Sequence, residues 1–169
     1  MKSREEYLNT LEDVLVKQFR KLQSLISITR EERQMLSGGA ARDLLDIVEQ
    51  KESILDELSL LEENRRLITG ELCQLVGLAG ASTLTELIPH LETAVGSRLH
   101  NLHEGISKLV DQARHLNMGN QALAQARTEW LAATQAFLLS FYQPPTAYQA
   151  NGSIAASGMV QSLEIDQKA

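Results

Sequence analysis

In LLDIVEQKESILDELSLLEENRRLITGELCQL (residues 44–75), Leu44, Ile47, Lys51, Ile54, Leu58, Leu61, Arg65, Ile68, Leu72 and Leu75 succeed one another in alternating steps of three and four. Such a rhythm keeps one stripe of an α-helix facing a partner helix, the seam of a coiled coil. Two members of the stripe are basic, Lys51 and Arg65. Long aliphatic stems can lie along an apolar seam with their charged heads in water, so both read as structural residues.

The same rhythm extends in both directions. From Ser3 to about Leu36, Leu8, Leu11, Leu15, Phe19, Leu22, Leu25 and Ile26 fall at helical spacing, and Ser37-Gly38-Gly39 ends the run. Glycine is the usual residue just past a helix C-terminus. After residue 75, Gly77 to Ala81 break the pattern. Ser82 is then placed to cap a short helix holding Leu84, Leu87 and Ile88, and Pro89 suits the first turn of the next one. That last helix carries the longest seam, from Leu91 through Leu99, Leu109, Leu116, Asn120, Leu123, Trp130 and Phe137 to Phe141. Strand signals are absent. The expected fold is all-α, an elongated antiparallel helical bundle or coiled coil with one long C-terminal helix. Residues 1–142 form the bundle domain, and 143–169 form a flexible tail rich in Pro, Gly, Ser and Ala without charge periodicity.

Composition narrows the function. The chain has 169 residues, a formal net charge of -6 and 4 % aromatic residues. An acidic balance offers nothing to a nucleic-acid backbone or an anionic membrane surface. The stretch from Trp130 to Tyr148 is uncharged, but Gln135, Gln143 and Pro144-Pro145 spoil it as a membrane span. The N-terminus is charged from Lys2 onward, unlike a signal peptide, and the lone Cys73 permits no internal disulfide. A cytoplasmic protein is expected. His100 and His103 lie three apart beside Glu104, yet no second carboxylate–histidine motif completes a metal site. Cys73 sits in an apolar helix end, and the glycines of GLAG lack the Lys-Ser/Thr ending of a phosphate loop. No catalytic, cofactor or metal residue is assigned, and no enzyme activity is expected.

Helix lengths raise a problem. At 1.5 Å per residue the first two helices span about 50 Å each and the last roughly 75–80 Å, an excess of about 15–20 residues. The excess falls on the most aromatic stretch of the chain, with Trp130, Leu131, Phe137, Leu138, Phe141 and Tyr142. Leaving such side chains in water forfeits about 1.5–3 kcal/mol each relative to full burial. A partner protein, a second copy pairing through the last helix, or the tail folding back would shield them. Alternatively the last helix bends and completes its own bundle. Spacing leaves these open.

HLNMGNQALAQ (residues 115–125) interrupts this helix with Asn117, Gly119 and Asn120, all weak helix formers. Asn120 falls on the seam, where an asparagine lowers stability but fixes register and pairing. LNMGNQAL also resembles the Leu-Asn-x-x-Asn-x-x-Leu pattern of the flagellar export chaperones that serve hook-associated proteins, the FlgN family. The leucine-rich second helix with its embedded Lys51 and Arg65 is similar to that family. So are the aromatic end of the last helix and TAYQANG, a Tyr-x-x-x-Gly tail signature.

The likeness runs to about Gly152. It implies a chaperone without ATPase activity that binds the C-terminal helical segments of hook-associated (hook–filament junction) proteins. The chaperone would keep them unpolymerised and deliver them to the flagellar export gate. By the same resemblance Asn117, Asn120 and Leu123 belong to the client-binding motif, and Tyr148 and Gly152 to a contact with the export gate. The rival reading from the residues alone is a self-associating coiled-coil protein with no client.

Overall fold

The computed structural model describes residues 3–38, 44–78, 80 and 83–142, with the side chains of Phe141 and Tyr142 outside that description. The tail, 143–169, lies outside it as well. Among the described residues the chain is all-helical: α1 (Arg4–Gly38), α2 (Leu44–Leu75), the single turn α3 (Leu84–Leu87), a 3-10 turn over Ile88–His90, and α4 (Thr93–Tyr142). It divides into two compact units, Met1–Ala126 and Arg127–Ala169.

In the first unit α1 is the central helix. It meets α2 antiparallel, through Gln18 with Glu62, Lys21 with Glu57 and Glu32 with Lys51. It meets α4 parallel, through Glu12 with Arg98 and Thr29 with Asn120. Two packed clusters hold the three together. One joins Leu11 and Leu15 to Leu72, Cys73, Leu84, Leu87 and Leu99. The other joins Leu22, Leu25, Ile26 and Ile28 to Ile47 and Ala113. The α1–α4 offset of 86 residues, set by Glu12 and Arg98, carries the last residue of α1 to the level of Ala124. The antiparallel pairing of Lys51 with Asn117 brings the first residue of α2 to that same level. The first unit ends where its helices end.

Local chemistry explains the joints. Gly77, at φ 79°, follows α2, and the N–H groups of Gly77 and Leu78 donate to the carbonyls of Gln74 and Cys73. This paired closure needs a left-handed residue, which glycine supplies without a Cβ clash. The short helix is capped by Thr83, in a reciprocal box with Glu86. Ser82, the expected cap, lies outside the described residues. Pro89 was expected in the first turn of the last helix but occupies the 3-10 turn, and α4 begins at Thr93. The missing N–H of proline is tolerated there because a turn of this kind leaves its first donors unpaired in any case. Gly105 has a steric reason to be glycine, since a Cβ there would stand 2.9 Å from the Phe19 ring of α1.

Candidate functional site

At the end of the first unit, a polar cluster ties all three long helices together. The Lys51 ammonium of α2 donates to Glu32 Oε2 of α1 and to Asn117 Oδ1 of α4, both at 2.7 Å. Asn120 Nδ2 donates to the same Glu32 oxygen at 2.7 Å and to the Thr29 carbonyl at 2.8 Å. The Lys51 and Glu32 side chains are only 15 % and 13 % exposed. Lys51 therefore does not hold its head in water, as the seam pattern alone suggested. Its charge is turned inward because Glu32 and Asn117 come to it from the two other helices. Arg65, the other basic seam residue, keeps a two-pronged bond to Glu62.

Asn120 is buried, and its Oδ1 has no hydrogen-bond partner among the described residues. A shifted register would separate four polar groups that have little access to water, and buried charges without partners are costly. The cluster sacrifices stability to fix which residues of α4 oppose α1. Gly119 lies against the Arg33 guanidinium, 3.3 Å from where its Cβ would be. Beside the cluster, an apolar groove of about 290 Å³ runs between α2 and α4 with α1 as its floor, lined by Leu25, Leu58 and Val110 and ending at Lys51 and Asn117.

In the second unit, α4 presents apolar side chains to solvent. Trp130 is 64 % exposed, Leu131 54 %, Phe137 62 % and Leu138 53 %. No charged residue occurs between Trp130 and Tyr142, and Leu139, exposed too, lies off the face that these four side chains form. Burying such side chains is the dominant favourable term in association, so this face has the chemistry of a binding surface. Of the residues assigned from sequence, Asn117 and Asn120 are therefore brought together with Lys51 and Glu32. Leu123 is half-buried, while Trp130, Leu131, Phe137 and Leu138 are open to solvent. The side chains of Phe141 and Tyr142, and all of Tyr148 and Gly152, lie outside the described residues.

Among the described residues, three titrating groups depart from ordinary behaviour. The hydrogen bonds from Arg65 hold the Glu62 carboxyl below the usual carboxylate range, and the same contact raises Arg65. Burial pushes the Cys73 thiol up, which makes it a poor nucleophile. His100 reaches Glu104 only at 3.9 Å. Among the described residues there is no grouping of three metal-ligating side chains, and no helix long and apolar enough to cross a membrane.

Sequence reasoning missed Glu32 altogether. It carries no signal in its own helix, because its role depends on residues 19 and 88 positions away.

The fold and these surfaces define a class: a helical protein with buried polar groups between its long helices and an exposed apolar face on its last helix. The family model described as FlgN protein matches residues 1–156, and the chain belongs to that family. The family is one of flagellar export chaperones, which bind flagellar proteins during flagellum assembly. No curated relative and no solved structure matches the chain.

Proposed function

We propose that this chain is a stoichiometric cytoplasmic chaperone for hook-associated proteins. It binds their C-terminal helical segments, prevents premature assembly at the hook–filament junction and delivers them to the flagellar type III export gate. The observation that carries the reading is the exposed, uncharged face of α4 at Trp130, Leu131, Phe137 and Leu138. An amphipathic client helix laid on such a face is a common recognition mode. A client that orders only on binding gives up affinity for reversibility, which suits a cargo that must be released.

In this reading Trp130, Leu131, Phe137 and Leu138, extended by Phe141 and Tyr142, touch the client. Asn117, Asn120 and Leu123 set where that surface begins. Tyr148 and Gly152 meet the export gate, a role that rests on their likeness to the family's tail signature. When no client is bound, a second copy pairs through the same face, so the homodimer and the client complex exclude each other.

Co-expression with full-length hook-associated proteins followed by size exclusion tests the proposal. Co-elution at a fixed ratio with one of them is expected. Failure to co-elute with any, together with a dimer that persists at nanomolar concentration, would leave a self-associating protein instead.

A further inference from the structure

The face of α4 in the second unit is wider than one partner helix covers. A two-stranded coiled coil uses a narrow seam of two positions per heptad, a and d, whereas a helix flanked by two neighbours adds a third, e or g. The chain contains its own standard for the wider case. The central helix α1, covered by α2 and α4, buries Leu11 and Leu25 at a, Val14 and Ile28 at d, and Leu15 and Leu22 at e.

Continuing the α4 seam past Asn120 and Leu123, Arg127 and Thr134 fall at a, Trp130 and Phe137 at d, and Leu131 and Leu138 at e. The spacing is that of α1. The same heptad that α4 uses in the first unit thus runs on into the second: the e row that holds Val110 and Asn117 beside α2 continues as Leu131 and Leu138, both more than half exposed. The rows lie on two edges of one face, because successive residues of a helix point about 100° apart. No charge lies between residues 130 and 142, so what covers both edges presents uncharged stripes.

We propose that the occupant is a pair of helices from one client molecule, packed on the two edges of this face so that α4 becomes the central helix of a second three-helix unit. The d row takes one client helix and the e row takes the other. This rests on the chaperone reading above and specifies the partner that reading leaves general.

The test uses the full chain co-purified with the hook-associated protein identified by co-elution, with a photo-cross-linking amino acid placed at Trp130 or at Leu131. These positions share one level of the helix and lie on opposite edges. Cross-links from the two positions to client segments more than ten residues apart are expected. Overlapping segments, or cross-links from Trp130 alone, would overturn the pair in favour of a single helix. Cross-links only to a second copy of this chain would overturn the client as occupant.

Affinity measured on the same complex gives an independent readout. Leu131→Ser with Leu138→Ser is expected to weaken binding about 10–100-fold, as much as Trp130→Ala, while Leu139→Ser, off both rows, changes it less than about threefold. An e-row effect no larger than that of Leu139→Ser would refute the second helix. If no hook-associated protein co-elutes at all, the chaperone reading fails first and takes this inference with it.

Discussion

Replacing Lys51 with methionine keeps most of the aliphatic stem and removes the charge. Glu32 then retains only the Asn120 amide, and Asn117 Oδ1 loses the 2.7 Å donor it has from Lys51. Removing one member of a buried ion pair costs about 3–5 kcal/mol, chiefly through the charge left behind. Here both side chains keep some access to water, at 15 % and 13 % exposure. Partial hydration lowers the expected loss to about 2–4 kcal/mol. For a chain of this size the loss corresponds to a fall in Tm of about 5–15 °C.

Adding Glu32→Gln to Lys51→Met removes the abandoned charge. It should restore about 1–2 kcal/mol, a coupling of the size expected for directly bonded groups. Urea denaturation followed by far-UV circular dichroism, on the wild type, both single variants and the double, closes the cycle. If Lys51→Met lies within 0.5 kcal/mol of wild type, or the double variant is the sum of the singles, the three-helix lock is not what holds the register.

Two glycines should answer oppositely to alanine. Gly119→Ala gains about 0.5–1 kcal/mol of helix propensity, because only the mobile end of Arg33 has to move. Gly105→Ala forces back the Phe19 ring and should lower stability by about 1 kcal/mol despite the same propensity gain; thermal unfolding of the pair checks both. Because the Glu62 carboxyl is held low by Arg65, its contribution is present above the ordinary carboxylate range and is lost as pH falls through its lowered pKa. With Glu62 about half exposed in that contact, solvent screening limits the effect to about 0.2–0.5 kcal/mol. The Tm gap between wild type and Glu62→Gln should accordingly be present near neutrality and close in acid. Truncation after Tyr142 should leave client binding largely intact and impair export, read by secretion of the client in a complemented strain; loss of binding would place the tail in the binding surface.

The seams of α1, α2 and α4 were readable because apolar spacing is a property of one helix at a time. The first seam already contained Leu11, Leu15, Leu22, Leu25 and Ile26, all buried. What escaped depended on opposing helices. Lys51 looked like a solvated intruder until Glu32 and Asn117 were placed around it. Thr29 and Thr69 are polar letters that behave as core, because each hydroxyl donates to the carbonyl four residues earlier and needs no water. Leu75 fits the α2 seam yet is 44 % exposed, since the helix ends there. Asn120 was legible as a seam asparagine, whereas its burial against α1 was not, because nothing in its own helix names its partners. The surplus of aromatic residues at the end of α4 could be read from composition and length together. Which polypeptide covers it is a matter of chemistry between molecules.

The most direct measurement is a calorimetric titration of this chain, and of its Trp130→Ala variant, with the C-terminal helical segment of the co-eluting hook-associated protein. Trp130 is 64 % exposed, so its loss should leave helicity unchanged while weakening binding by about 10–100-fold, as for an aromatic anchor at an interface centre. Equal affinity for wild type and variant, or a variant that unfolds, would contradict the account.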